Sequence, residues 1–118
     1  MNESDARSVM TDLYFDLRVD YRSRRIAVHG GIDIACGPNV ATAVVRLQRA
    51  APGDITIQLD EVTFIDMAGL GILVGARSAQ QAGGHRLIVS GASPQVRRIF
   101  TLGALDDLLD SPGSTIGG

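Results

Sequence analysis

The segment Phe64-Ile65-Asp66-Met67-Ala68-Gly69-Leu70-Gly71 joins an apolar strand to a glycine-rich helix start through a single acidic residue. Asp66 suits the N-cap of that helix, because its carboxylate can accept from the backbone N–H of Ala68 or Gly69, groups that no carbonyl inside the helix can reach. Removing such a cap costs about 1 kcal/mol. A turn of this kind presents a surface for a partner protein to read. Bond-making chemistry would instead need a nucleophile, an acid or base and an orienting group in one place. His29 and His85 fall at opposite ends of expected strands, with no Asp or Cys at ligand spacing, so neither suggests a zinc site. Cys36 is the sole cysteine and has no cationic sequence neighbour, although it stands near a helix start. The glycine-rich start is not a phosphate-binding loop, since no Lys-Ser or Lys-Thr follows it, and it lacks the full dinucleotide pattern. We therefore expect a non-enzymatic chain with no catalytic residue, metal or cofactor.

Three glycines, Gly69, Gly71 and Gly75, lie inside the helix that Asp66 opens. Each is unfavourable by up to about 1 kcal/mol relative to alanine, so a close contact should outweigh propensity. Helix-to-sheet packing without intervening Cβ atoms is the expected reason at Gly71 and Gly75. Gly69, in the first turn, leaves space that an approaching partner can use.

A chain of 118 residues fits one domain with a single core. Its 45% apolar and 20% charged residues are ordinary for a globular protein, and with no tryptophan the core must be mainly aliphatic. A net charge of -2 supplies no basic field for nucleic acid, and Arg22, Arg24 and Arg25 read as a solvated turn. One cysteine excludes an internal disulfide and fits a reducing compartment. The start Met1 to Asp5 lacks the basic and apolar regions of a secretory signal, and no apolar run approaches the roughly 18 residues of a spanning helix. The expectation is a cytoplasmic protein without direct membrane insertion.

The elements that must position Asp66 follow from periodicity. Leu13, Phe15, Leu17 and Val19 alternate with polar residues as a half-buried strand, and Arg25 to His29 supplies a second, joined to it as a hairpin. Gly37-Pro38-Asn39 opens a helix whose stripe is Val40, Val44, Leu47 and Ala51, with Arg46 and Arg49 near the negative end of its dipole. Pro52-Gly53-Asp54 ends it before a β-branched strand at Ile55 to Leu59. The helix after Asp66 should run to about Ala82 and stop at Gly83-Gly84, ahead of a strand from His85 to Ser90. Ser93-Pro94 caps a third helix ending at Gly103, with Val96, Ile99, Phe100 and Leu102 as its apolar face. Leu105 to Leu109 fits either an edge strand or a helical turn. This order is that of an α/β domain with a mainly parallel mixed sheet begun by a hairpin and about four helices. Residues 1–12 and 111–118 read as flexible ends around a domain at 13–110.

Val62-Thr63-Phe64-Ile65-Asp66, then Ala68-Gly69-Leu70-Gly71, with Gly30-Gly31-Ile32-Asp33 upstream and Gly83-Gly84 before a strand, resembles the STAS domain of anti-sigma factor antagonists from about Leu13 to Leu109. The resemblance implies a STAS fold and a binding module that sequesters an anti-sigma factor of the GHKL serine-kinase type, thereby regulating sigma-dependent transcription. The family's helix reads Asp-Ser-Ser-Gly-Leu-Gly, its second serine being phosphorylated; this chain matches at Asp66, Gly69, Leu70 and Gly71 and departs at Met67 and Ala68. Ala68 has no hydroxyl, so that modification is lost there. Thr63, Ser78 and Ser90 are poor replacements. Gly31-Ile32-Asp33 corresponds to the end of the family's Gly-Glu-Leu-Asp motif, with Gly31 in place of the glutamate. Asp33 either belongs to the partner surface or only orders its loop by Asx-type bonds. The implied partner-binding set is Gly31, Asp33, Asp66, Met67, Ala68, Gly69 and Leu70. The alternative implied by the family is a STAS subunit of an ABC-type lipid transport complex that binds its cytoplasmic ATPase; homodimerisation is open in either case.

Overall fold

A computed structural model describes residues 6–11 and 15–103. Its elements are β1 (Ala6–Thr11), β2 (Phe15–Asp20), β3 (Arg25–Ile32), α1 (Gly37–Ala50), β4 (Ile55–Ile65), α2 (Met67–Ala82), β5 (Leu87–Ser90) and α3 (Pro94–Leu102). The strands form one sheet in sequential order from β1 to β5. The pairings of β1 with β2 and of β2 with β3 are antiparallel, whereas β3 with β4 and β4 with β5 are parallel. The expected hairpin is therefore β2–β3, held by a turn in which the Asp20 carboxylate accepts from the N–H of Arg22 and Ser23 at 3.0 and 3.1 Å. Parallel neighbours need crossovers, and α1 and α2 supply them.

Alternation in β2 places Phe15, Leu17 and Val19 on the buried face, opposite Gly30, Val28 and Ile26 of β3. Ile55, Ile57, Leu59, Leu87 and Val89 continue that face, and the buried apolar side chains of all three helices join them in one mainly aliphatic cluster that includes Phe100. Each such large apolar side chain contributes about 1.5–3 kcal/mol on burial. Phe100 and Val96 are the buried residues of α3, whereas Leu102, expected on the same face, is 77% exposed. On α1 the stripe holds at Val40, Val44 and Leu47, but Ala51 lies past the helix as its exposed C-cap.

Two further departures have physical causes. Ala6–Thr11 forms β1 along β2, although the sequence suggests a loose end through residue 12: pairing to a formed neighbour, not an internal period, makes it a strand. β4 runs on from Leu59 to Ile65, but register irregularities against β3 change its burial interval from every second residue to Leu59, Val62 and Ile65. Those bulges hide the second half of the strand from a search for alternation. Three helices occur among the described residues, against about four expected. Leu105 to Leu109 and the 111–118 tail lie outside the described residues.

The end of the sheet remote from Asp66 is tied by side chains reaching main-chain carbonyls. Arg24, with φ of 58°, donates from Nε to the Asp54 carbonyl at 2.9 Å, from Nη1 to that of Leu47 at 3.3 Å and from Nη2 to that of Gly53 at 3.1 Å. It caps the C-terminus of α1 and secures the entry to β4, which corrects its reading as part of a solvated turn. Gln80, only 2% exposed, donates from Nε2 to the carbonyls of Gly53 and Arg86 at 2.9 and 2.8 Å and accepts at Oε1 from Gln48 at 3.1 Å.

Candidate functional site

The expected site residues come from two chain crossings at the opposite end of the sheet, where β3 leads into α1 and β4 into α2. Gly31 pairs with Phe64 and Ile32 with Ile65, so the two crossings leave from adjacent positions. The Asp66 N–H donates to the Ile32 carbonyl at 3.3 Å, joining them directly. One Asp66 carboxylate oxygen accepts from Gly69 N–H at 2.8 Å, the N-cap bond that the sequence predicts, and Leu70 N–H donates to the Asp66 carbonyl at 2.8 Å to begin the helix. Asp66 itself is exposed.

Asp33 performs the Asx-type ordering that was one of its two readings. Its Oδ1 accepts from the N–H of Ala35 at 3.0 Å and of Cys36 at 2.9 Å, while Gly37 N–H donates to its carbonyl at 2.6 Å. The loop into α1 is thereby fixed although the N-cap residue, Cys36, makes no side-chain cap bond. Asp33 stays half-exposed, so ordering the loop leaves it accessible.

Of the remaining expected residues, Met67 is 72% exposed and Ala68 is exposed beside it, whereas Gly31, Gly69 and Leu70 are buried. The space at Gly69 is filled from within the chain: a Cβ there would overlap the carbonyl of Ile32. This contact makes glycine necessary at Gly69 and corrects the expectation that a partner uses the gap. Gly31 is covered similarly, since a Cβ would run into the ring of Phe64. A glutamate at this position would displace that ring. By contrast, Cβ atoms at Gly71 and Gly75 would meet nothing within 4 Å, so helix-to-sheet packing does not explain either glycine, and nothing else in the structure does.

Two residues outside the expected set belong to the same region. Ile34, on the Asp33 loop, is 78% exposed, and Phe64, lying over Gly31, is 49% exposed. The sequence signal for Ile34 is a large aliphatic residue in a loop between Asp33 and a helix start; Phe64, beside Ile65 in an apolar run, carries no local signal of exposure. Among the described residues no group of three metal-ligating side chains converges. His29 lies instead beside Glu61 across β3 and β4, with Nε2 3.7 Å from Oε1 on exposed side chains.

The family model of the STAS domain matches residues 14–116. The chain belongs to the STAS family. Anti-sigma-B factor antagonists of Staphylococcus epidermidis and Staphylococcus aureus are 27% identical to this STAS chain over 84 residues, covering 71% of it and 78% of theirs. A crystal structure of a putative anti-sigma factor antagonist from Thermotoga maritima superimposes with a TM-score of 0.66 at 16% identity, covering 87% of this chain and 92% of that one. The anti-sigma factor antagonist SpoIIAA in its unphosphorylated form gives 0.62 at 23% identity, covering 86% and 92%. These likenesses agree with the fold built above from its strands and crossings. No described helix of this STAS chain is long and apolar enough to cross a membrane.

Proposed function

We propose that this STAS protein is an anti-sigma factor antagonist that sequesters an anti-sigma factor of the GHKL serine-kinase type and so frees a sigma subunit to act in transcription. The observation that carries this reading is the direct tie between the two crossings, Asp66 N–H to the Ile32 carbonyl, which holds Asp33, Asp66, Met67 and Ala68 on one edge of the domain. The names of the staphylococcal relatives favour it over the ABC transport-subunit alternative.

Ala68 occupies the second position of α2 and is exposed. A phosphate there would bring about -1.5 to -2 charges to a helix N-terminus, which tolerates an anion that a docked partner would have to desolvate or repel. With alanine, the complex forms without that means of release, and control falls to expression level, another modification or competition from a phosphorylatable relative. Asp33 and Asp66 position the two crossings, while Gly31, Gly69 and Leu70 shape the surface from beneath.

Restoring serine tests the reading. With a cognate kinase and ATP, Ala68→Ser should become phosphorylated at that residue, shown by mass spectrometry, and should then lose binding, whereas the wild-type chain stays bound. Absence of both effects in a partner screen would remove the assignment. Phosphate on Thr63 or Ser78 of the wild-type chain would instead refute the claim of phosphorylation-independent binding.

A further inference from the structure

Five large apolar side chains are prominently exposed among the described residues: Ile34, Val45, Phe64, Met67 and Leu102. Three of them, Ile34, Phe64 and Met67, come from the two crossings that meet at the Asp66–Ile32 hydrogen bond, and two of these are more than 70% exposed. Phe64 covers Gly31, but the fold gains nothing from exposing Ile34 and Met67. Ile34 sits in a loop already fixed by Asp33, and Met67 begins a helix already capped by Asp66. Their acidic neighbours are the only charged residues of segments 32–36 and 64–68, which contain no Lys or Arg.

We infer that Ile34 and Met67, flanked by Phe64, are the energetic anchors of partner binding, and that the partner offers an apolar socket rimmed by Arg or Lys side chains. The inference deepens the proposed anti-sigma factor reading and rests on it. An exposed apolar residue at an interface centre gains by leaving water, while acidic residues around it steer and select a basic counterpart. Met suits an anchor role because its unbranched thioether adapts to the socket it enters. The first serine of the family's motif is thus replaced, at Met67, by a contact that depends on desolvation, which gives that departure a positive role beside the loss of the phosphorylated serine at Ala68.

The test uses purified full-length chain immobilised on a biosensor and each GHKL-type anti-sigma factor encoded by the source genome as analyte. Ile34→Ser and Met67→Gln remove apolar surface without touching the core, and Leu102→Ser, equally exposed on α3, is the control. Circular dichroism verifies that all three stay folded. Each crossing variant should weaken binding by roughly tenfold or more, Leu102→Ser should stay within about twofold, and raised salt should weaken the wild-type complex. Binding by either crossing variant within about twofold of wild type overturns that residue's anchor role, and a wild-type complex insensitive to salt overturns the basic rim. Failure of the wild-type chain to bind any of these factors overturns the anti-sigma reading itself, and the inference with it.

Discussion

Alanine substitution should separate glycines of α2 that the sequence makes look alike. At Gly71 and Gly75 an added Cβ meets nothing within 4 Å, so Ala should stabilise the helix by up to about 1 kcal/mol at each position. At Gly69 the same atom would overlap the Ile32 carbonyl, a main-chain group at the end of β3 that cannot rotate aside. Relieving the overlap costs about 1–3 kcal/mol, and separating the crossings also forfeits the Asp66–Ile32 hydrogen bond, worth about 1 kcal/mol. Against a propensity gain of about 1 kcal/mol, Gly69→Ala should therefore be destabilising by about 1–3 kcal/mol. Urea unfolding measures the contrast. With a slope of about 2 kcal/mol per molar, the Gly71→Ala midpoint should rise by up to roughly 0.5 M and the Gly69→Ala midpoint should fall by roughly 0.5–1.5 M, at unchanged slope. A Gly69→Ala midpoint equal to or above that of Gly71→Ala would refute the reasoning, because it would mean that the two crossings are not in contact as described.

Replacing Gln80 with Leu keeps the volume but removes its two hydrogen bonds to the carbonyls of Gly53 and Arg86, which retain Arg24 Nη2 and the Ile55 N–H as donors; at about 1 kcal/mol per bond, a loss of about 2 kcal/mol, seen as a Tm lower by roughly 8 °C, is expected in calorimetry. Arg24→Gly relieves a positive φ yet removes three bonds to main-chain carbonyls, and a net loss of about 2 kcal/mol in urea unfolding would show that the guanidinium outweighs the strain. Asp20 is held below its ordinary value of 3.8, first by the Ser23 backbone N–H and then by the other turn bonds. Its contribution to stability is thus fully present above 3.8 and is lost as pH falls through its lowered folded value, so Asp20→Ala should flatten that acid limb of the stability profile, with NMR titration of the carboxyl as the direct check.

Features closed within a few residues were legible from the chain alone. The Asp66 and Ser93 caps each bond an N–H three positions on, at 2.8 and 3.2 Å, and the period of two marked β2 before any neighbour was known. Features joining distant segments were not. Arg24 contacts carbonyls 23 to 30 residues away, and Gln80 reaches one 27 residues away; neither spacing leaves a local pattern. The second half of β4 escaped because bulges replaced alternation with a different interval.

The sequence by itself determined where α2 begins, which residue caps it, and that Ala68 offers no hydroxyl, since these depend on residue identity and on bonds within one turn. Tertiary structure decided what surrounds that helix start: Gly69 is pressed against Ile32, Gly71 and Gly75 are free of packing, Gly31 is covered by Phe64, and Ile34 and Met67 face outward. The physical reason is that a glycine's role depends on what occupies its missing Cβ, and exposure depends on which crossings meet, and both are properties of strands brought together from distant parts of the chain.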